Sequence, residues 1–348
     1  MSVEITAEEM LDAFKEDAPP GHVRDTRWAH THGIGVLGHF VASTVAKKWS
    51  AAAFMQGGTV PVICRFSNGS SDPKRHDNWP DTRGLAVKFH PPGGEPHDML
   101  AMTISVFGAR SRQEFLDISK AFVPKPIPKK SWFQLNVVDP LHLRLPPPSF
   151  PPGVTESGAP GLAAFAGTHP YARAFVLEGG ASIVPVSWAR IEYHAVHTFM
   201  ALGPDGVKRP VRFVWQPVDG VFPVPPVELP ELGPDFLGEE MRRRLARESA
   251  RFTLRMTLGE PGDELADPSV NWPKSRRSVN MGMLTIEKMA EPEGVDVSTM
   301  SFNPMRLPPG VEPSDDVILH ARGEIYSLGC QERGGTGCPV LHGPGARK

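Results

Sequence analysis

The chain has 348 residues, of which 40% are hydrophobic and 22% charged, and this composition excludes a disordered or fibrous protein. The formal net charge of −2 gives no general positive field, so nucleic acid is not expected as the principal ligand. The 34 glycines and 38 prolines favour strands joined by long loops over a helical bundle.

The predicted elements begin with a short helix near the N-terminus. Thr6 and Glu9 have the spacing of a capping box, and Met10, Leu11 and Phe14 follow at helical spacing. Five later segments alternate apolar and other residues with a period of two, as strands do, and they predict an antiparallel barrel. These segments are 60–64, 85–89, 211–215, 252–258 and 284–288.

Helices and proline-rich connectors complete the predicted architecture. The helical patterns cover 112–121, 239–248 and 315–328. The connectors, which cannot be central strands, cover 123–128, 145–152 and 222–234.

The sequence shows no signal for export or for a membrane. The first ten residues lack the basic and apolar regions of a signal peptide, and no stretch approaches 18 uninterrupted apolar residues. We therefore expect a cytoplasmic protein without membrane contact. The cysteines, Cys64, Cys330 and Cys338, are too few to imply a disulfide framework, and reduced thiols are expected.

Gly33, Gly35 and Gly38 satisfy the G-x-G-x-x-G pattern of dinucleotide-binding sites. The context does not support that function, because polar and basic residues precede the pattern where a buried strand is needed. A close approach of two backbones explains the glycines better.

Arg322 and Tyr326 lie four residues apart, which places both side chains on one face of the predicted C-terminal helix. A guanidinium beside a phenol favours the phenolate, a hard anionic ligand suited to ferric iron. On spacing alone, an ordinary contact on the helix surface is the commoner explanation.

The residues around this pair favour the iron ligand, because they closely resemble the proximal haem-ligand segment of the haem catalases. Other motifs resemble the same family in the same chain order, from about residue 22 to residue 334. They are Arg27-Trp-Ala-His30, Arg65-Phe66-Ser67, Asp81-Thr-Arg83-Gly84-Leu-Ala-Val-Lys88-Phe89, Phe115-Leu-Asp-Ile118, His197-Thr-Phe199, Phe302-Asn303-Pro304 and the run from Leu307 to Tyr326.

The resemblance implies an α+β fold with an antiparallel β-barrel of about eight strands, wrapped by helices and long Pro/Gly-rich loops. We expect the barrel domain at 21–334, after a short helix at 1–20 and before a glycine-rich tail at 335–348. It also implies haem b, with Tyr326 as the proximal iron ligand. His197 and Asp316 would orient Arg322, which holds the tyrosine as phenolate.

The resemblance also assigns the rest of the haem site. His30 would be the distal catalytic histidine and Ser67 the hydroxyl that fixes its ring, while Phe115 would lie over the haem. The haem propionates would be bound by Arg27, Arg65 and Arg333.

One departure from the family changes the expected reaction. Catalases place an asparagine near the distal histidine, whereas here the position is Met102, with Thr103 beside it as a candidate catalytic residue. A thioether is at best a weak hydrogen-bond acceptor for peroxide. We therefore expect a peroxidase that reduces organic hydroperoxides through a ferryl compound I with small organic electron donors, and that disproportionates hydrogen peroxide weakly or not at all.

Three other functions remain open at this point: an enzyme similar to allene oxide synthase that rearranges hydroperoxides, a true catalase, and a non-catalytic haem carrier or sensor. Only 22 residues follow Tyr326, and His30 lies close to the N-terminus. The extensions that interlock catalase subunits are therefore not expected, and a homodimer is predicted rather than a tetramer.

Overall fold

An antiparallel sheet of nine strands, most of it closed into a barrel, organises the part of the chain that the computed structural model describes: residues 5–19, 27–126, 156–180, 183–225 and 227–335. The strands are β1 (Gly33–Ala42), β2 (Thr59–Asn68), β3 (Arg83–Phe89), β4 (His97–Met102), β5 (Lys125–Pro126), β6 (Glu156–Ser157), β7 (Tyr193–Leu202), β8 (Lys208–Pro217), β9 (Ala250–Leu258), β10 (Ser278–Met289) and β11 (Val311–Pro313).

The strand order is β11-β7-β4-β3-β2-β1-β10-β9-β8, and β8 pairs back with β7. Eight strands therefore close on themselves, β11 lies beside β7, and β5 and β6 form a separate two-stranded ribbon. This confirms the predicted α+β fold with an eight-stranded antiparallel barrel. The five strand predictions fall within β2, β3, β8, β9 and β10.

Large side chains fill the interior of the barrel. They alternate along their strands, as the period of two requires, and several are completely buried. Among them are Phe40, Phe66, Phe89, Trp215 and Phe252.

The glycine pattern belongs to β1, which the sequence analysis did not predict as a strand. A Cβ atom at Gly33 would lie 2.2 Å from the carbonyl oxygen of Phe66 in β2, and one at Gly38 would lie 2.0 Å from the carbonyl oxygen of Thr285 in β10. The pattern therefore serves close packing of β1 between two strands, as predicted.

Six α-helices lie outside the barrel in the described residues. They are α1 (Ala7–Asp17), α2 (Arg112–Ala121), α3 (Ala159–Thr168), α4 (Arg173–Gly180), α5 (Phe236–Leu245) and α6 (Val317–Glu332). The predicted α2 has the observed bounds. The prediction for α5 began three residues too late, and the prediction for α6 began two residues too early. Helices α3 and α4 were not predicted.

Helix α1 begins with the predicted capping box. Thr6 Oγ1 accepts a hydrogen bond from the backbone N–H of Glu9, whose carboxylate accepts from the N–H of Thr6. Its apolar side joins α2 and α6 in a second hydrophobic cluster outside the barrel, which includes Met10, Phe115 and Ile318. The division into helix, barrel and tail stays a prediction, and residues 336–348 of the tail lie outside the described residues, as does the connector at 145–152.

The cysteines differ from the expectation of reduced thiols. Cys330, in α6, is disulfide-bonded, whereas Cys64 is a free thiol buried inside the barrel. Among the described residues, no helix has the length and apolar character needed to span a membrane.

Candidate active site

A cavity of about 330 Å³ lies between the barrel and the helices. Arg65, Ser67, Gly84 and Met102 belong to the strand faces that point away from the barrel core, and they form one wall of it. Tyr326 of α6 lines the same space. The site therefore lies on the outer face of the barrel and is covered by the helical layer.

His30 reaches the cavity from the segment before β1. Its backbone has φ 55°, in the left-handed region that residues other than glycine seldom adopt. A hydrogen bond of 3.2 Å from its N–H to the carbonyl oxygen of Gly69 holds the backbone there, and Nδ1 lies 3.0 Å from Ser67 Oγ. Such a conformation costs of order 1–3 kcal/mol and indicates that the ring position is functionally constrained.

The imidazole of His30 is neutral at physiological pH. Burial, reinforced by the charges of Arg65, Arg322 and Arg27, lowers its pKa to about 3. A neutral ring bonded through Nδ1 to Ser67 leaves Nε2 to take or give a proton in the cavity.

Four further side chains form a continuous chain of hydrogen bonds that begins at Tyr326 and Arg322, which also line the cavity. Arg322 Nη2 donates to Tyr326 Oη at 3.3 Å, and Arg322 Nη1 donates to His197 Nε2 at 2.8 Å. His197 Nδ1 in turn donates to Asp316 Oδ2 at 2.6 Å. All except Tyr326 are buried, so the chain brings one carboxylate and one guanidinium into the interior as a fully paired network.

The ends of this chain are fixed by secondary structure. Asp316 is the N-cap of α6, and its Oδ1 accepts from the backbone N–H groups of Ile318 and Leu319 at 2.8 and 3.3 Å. His197 lies in β7, and burial lowers its pKa, which keeps the imidazole neutral between Asp316 and Arg322. The guanidinium is thus held against Tyr326 by the barrel and by the start of the helix.

Three arginines surround one part of the cavity. Arg27 donates to the carbonyl oxygens of Val297, Ser298 and Met300, Arg65 to that of Thr31, and Arg333 to that of Gly329. Among the described residues, none of the three forms an ion pair with a carboxylate.

In the described part of the chain, therefore, no carboxylate lies in direct contact with these charges, although the more distant Asp296 acts on Arg27. Burial, with the neighbouring guanidinium of Arg333, lowers the pKa of Arg65 to about 10. Burial, with the charges of Arg65 and Arg333, lowers that of Arg27, and Nε of Arg333 is buried without a hydrogen-bond partner. This cluster is suited to an anionic group with carboxylates.

The donor set as a whole fits haem. A phenol held by a guanidinium can bind ferric iron, and an imidazole lines the same cavity. Buried or partly buried arginines without carboxylate partners among the described residues could bind the propionates. Phe115 of α2 lines the cavity and packs edge to face against Phe107, with ring centroids 5.3 Å apart. The fit rests on the donors Tyr326, His30 and the three arginines.

The structure separates Met102 from Thr103. Met102, at the end of β4, lines the cavity, whereas Thr103 does not. The Thr103 hydroxyl accepts a hydrogen bond of 2.9 Å from the backbone N–H of Arg83, and the Thr103 N–H donates to the Arg83 carbonyl. Thr103 follows the last residue of β4, and its hydroxyl is bonded to the backbone of Arg83 rather than lining the cavity, so its catalytic role stays a prediction.

Two residues at the site were not assigned from the sequence. The hydrogen of Gly84 faces His30 and Ser67, where a Cβ atom would lie 3.1 Å from His30 Nδ1 and 2.9 Å from Ser67 Oγ. The ring of Phe107 lies 5.6 Å from the guanidinium carbon of Arg322. Gly84 belongs to a motif that the sequence analysis recognised, and the absence of a side chain there could have indicated a close contact. No feature of the sequence pointed to Phe107.

Comparison with known proteins agrees with this geometry. The family model for catalase matches residues 10–138. A catalase-related peroxidase of Mycolicibacterium paratuberculosis is 33% identical over 341 residues, which are 97% of this chain and 97% of that protein. A catalase-related peroxidase of Synechococcus elongatus is 27% identical over 304 residues, covering 87% of this chain and 82% of that protein.

Longer catalases match over only part of their length. Catalase-2 of Bacillus subtilis is 25% identical, and the match covers 85% of this chain but 42% of that protein. The crystal structure of a fungal catalase shares the fold with a TM-score of 0.71 and 20% identity, covering 94% of this chain and 61% of that one. Because the Mycolicibacterium relative is similar over almost all of both chains, this chain belongs to the catalase family, among the catalase-related peroxidases, oxidoreductases that act on peroxides.

Proposed function

We propose that this chain is a haem peroxidase that reduces organic hydroperoxides with small organic electron donors and disproportionates hydrogen peroxide weakly or not at all. The observation that carries the proposal is the pairing of two arrangements in one cavity. His30 and Ser67 line the cavity as one hydrogen-bonded pair, and Tyr326 and Arg322, the end of the hydrogen-bonded chain that runs to Asp316, line it as another. The overall reaction converts ROOH and two donors AH into ROH, water and two donor radicals.

Haem b, held in this cavity with Tyr326 as its iron ligand, would supply the two-electron chemistry that cleaves the O–O bond. Arg322 donates a hydrogen bond to the Tyr326 oxygen, an arrangement suited to an oxygen that binds ferric iron, and the neutral His197 keeps Arg322 in place. Arg27, Arg65 and Arg333 would bind the propionates through charge-assisted hydrogen bonds.

His30 performs the proton transfer. Its Nε2 takes the proton of the bound hydroperoxide oxygen and returns it to the oxygen that leaves, so that ROH departs neutral. The low pKa of His30 favours this role, because an imidazolium could not accept the first proton. Ser67 keeps the ring in the required orientation through Nδ1.

Met102 supports the preference for organic hydroperoxides. It places an apolar thioether in the cavity wall beside β3, and Phe115 and Ile104 are further apolar residues of the lining. Disproportionation requires a second hydrogen peroxide to be held and oxidised, and a thioether holds it poorly. An alkyl group, in contrast, gains from contact with this surface.

The first test concerns the cofactor. We expect the haem-loaded protein to show a ferric high-spin spectrum of the tyrosinate type, which Tyr326→Phe abolishes and the control Tyr171→Phe leaves intact. The chain has three tyrosines, so few others can take the role. An unchanged spectrum in Tyr326→Phe would contradict the proposed ligand.

The second test concerns the reaction. Consumption of an alkyl hydroperoxide should require an electron donor, and His30→Ala should lower its rate by about 10²–10⁴-fold, the usual contribution of a general base. Oxygen release from hydrogen peroxide should be slow and should rise in Met102→Asn but not in Met102→Leu. Rapid oxygen release by the wild-type protein would argue for a true catalase, and donor-independent conversion to an epoxide would argue for a rearranging enzyme.

A further inference from the structure

Trp28 lies between two residues of the candidate active site and also reaches the protein surface. It follows Arg27 directly, precedes His30 by two positions, lines the cavity and is partly exposed. Its indole N–H donates to Glu332 Oε2 at 3.0 Å, and the other carboxylate oxygen accepts from Lys15 Nζ at 2.7 Å. The proposed function gives this arrangement no role.

The geometry points to Trp28 as the relay through which external donors deliver electrons to the cofactor, with Glu332 as the acceptor of the indole proton. The inference rests on the proposed peroxidase function and names the place where the donor reacts. Donors oxidised there need not enter the cavity. The donor class is therefore small aromatic or other one-electron reductants that reach the partly exposed indole.

The local charges explain why the electron and the proton would move together. Indole is one of the few side chains that can lose a single electron, and the loss makes its N–H strongly acidic. The Lys15 ammonium lies 5.8 Å from the ring centroid, and Arg27 is the preceding residue, so a positively charged ring is disfavoured. Glu332 already accepts the N–H bond and is the immediate proton acceptor.

The step balances in electrons and protons. Trp28 gives one electron to the cofactor that the hydroperoxide has oxidised, and its N–H proton passes to Glu332. The donor AH then returns one electron to the indole, Glu332 returns the proton to the ring nitrogen, and the donor proton is released. Two such cycles supply the two electrons, and solvent the two protons, that convert ROOH into ROH and water.

Other tryptophans in the described residues are placed less favourably. Trp79 also lines the cavity, but it is 8% exposed and the guanidinium of Arg75 lies 4.6 Å from its ring centroid. Trp49 is partly exposed but does not line the cavity, and the guanidinium of Arg277 lies 4.6 Å from its ring centroid. A cation also lies near the Trp28 ring, so the difference lies in access: of these three tryptophans, only Trp28 both lines the cavity and is partly exposed.

The test uses the full-length haem-loaded protein, mixed with cumene hydroperoxide without donor and frozen within milliseconds. Electron paramagnetic resonance should show an organic radical whose hyperfine structure changes when the protein contains ring-deuterated tryptophan. The signal should be lost in Trp28→Phe and retained in the control Trp49→Phe. Thermal unfolding of each variant and its haem content show whether the fold and the loading are intact.

Stopped-flow measurements then separate the two half-reactions. In Trp28→Phe, reduction by a donor such as guaiacol should slow by about tenfold or more relative to oxidation by the hydroperoxide. Glu332→Gln keeps a hydrogen-bond acceptor but removes the base, so its donor step should slow and lose its solvent isotope effect.

The outcomes are distinguishable. A wild-type haem spectrum that does not respond to the hydroperoxide contradicts the proposed function, and the relay with it. A protein that is oxidised normally but shows the same radical and donor rate in Trp28→Phe overturns the relay alone. Loss of the radical in Trp79→Phe instead of Trp28→Phe also overturns it.

Discussion

Replacing Gly84 by alanine tests whether the position of His30 limits the reaction with peroxide. Gly84 lies in β3 opposite Ser67 of β2, and its backbone φ is not in the left-handed region. Alanine is therefore compatible with the backbone. Its Cβ atom, however, would lie 2.9 Å from Ser67 Oγ, 3.1 Å from His30 Nδ1 and 3.2 Å from His30 Cε1.

These contacts set the size of the effect. Ordinary van der Waals contact begins at 3.4 Å, so the hydroxyl of Ser67 has to move by about 0.5 Å and the imidazole of His30 by a few tenths of an ångström. Since a misplacement of 1 Å costs roughly 100-fold in rate, a shift of the imidazole by about 0.3 Å should lower the rate about fourfold. Crowding destabilises by about 1–3 kcal/mol, and replacing glycine within a strand returns about 0.5–1 kcal/mol.

The assay is the bimolecular rate at which a hydroperoxide oxidises the haem-loaded protein, followed by stopped-flow absorbance. Gly167→Ala is the matched control, because a Cβ atom there meets no other atom within 4 Å. The control should keep the wild-type rate. A wild-type rate in a folded, haem-loaded Gly84→Ala protein would refute the argument that the hydrogen of Gly84 is needed to seat the His30–Ser67 pair.

Two other buried groups, His97 and Asp316, give predictions about stability. Burial lowers the pKa of His97 from 6.5 to about 4. As the pH decreases from 6.5 to 4, His97 is therefore protonated in the unfolded chain before it is protonated in the folded one. The free energy of unfolding falls over this range, by at most about 3 kcal/mol. Urea unfolding at pH 7.5 and 4.5 should show a smaller fall in His97→Phe; an equal fall would contradict the assignment. In Asp316→Asn, one side-chain oxygen remains, and it cannot accept both the hydrogen bonds of the helix cap and the hydrogen bond from His197. The variant should therefore lower the free energy of unfolding by about 1–3 kcal/mol. The exposed neighbour Asp315→Asn is its control, and equal melting temperatures for the two variants would contradict the account.

The barrel was predictable from the sequence where strands have one apolar face, and less so elsewhere. Strand β9 alternates buried and more exposed residues, and this period of two identified it. Strand β7 is buried almost throughout because the barrel core lies on one side and the helical layer on the other, so it shows no alternation. Strand β1 was not predicted because its glycines interrupt the alternation of apolar residues. These glycines allow β2 and β10 to pack closely against it.

The site residues that belong to a sequence motif could be predicted. The site residues whose positions depend only on how the strands pair could not. The pairing of Arg322 with Tyr326 follows from helical spacing, and His197 and Asp316 came from the family resemblance. The positions of Gly84 and Thr103 depend on which face of β3 and which end of β4 meets the cavity. Composition and spacing do not specify a register, and a shift of one residue exchanges the faces of a strand.

The predicted homodimer stays a prediction.

The arginine cluster links the binding of a cofactor to the catalytic state of His30. Three guanidinium groups without carboxylate partners among the described residues repel one another. Two of them, Arg65 and Arg27, act together with burial and with Arg322 to lower the pKa of His30. An anionic ligand relieves the repulsion, so its binding energy also stabilises the folded chain. It removes part of the field at His30, but burial, the larger cause of the lowered pKa, persists. Burial therefore still lowers the pKa of His30 when an anion lies at the arginines, so the proposed binding of propionates there is compatible with the proposed proton transfer by His30.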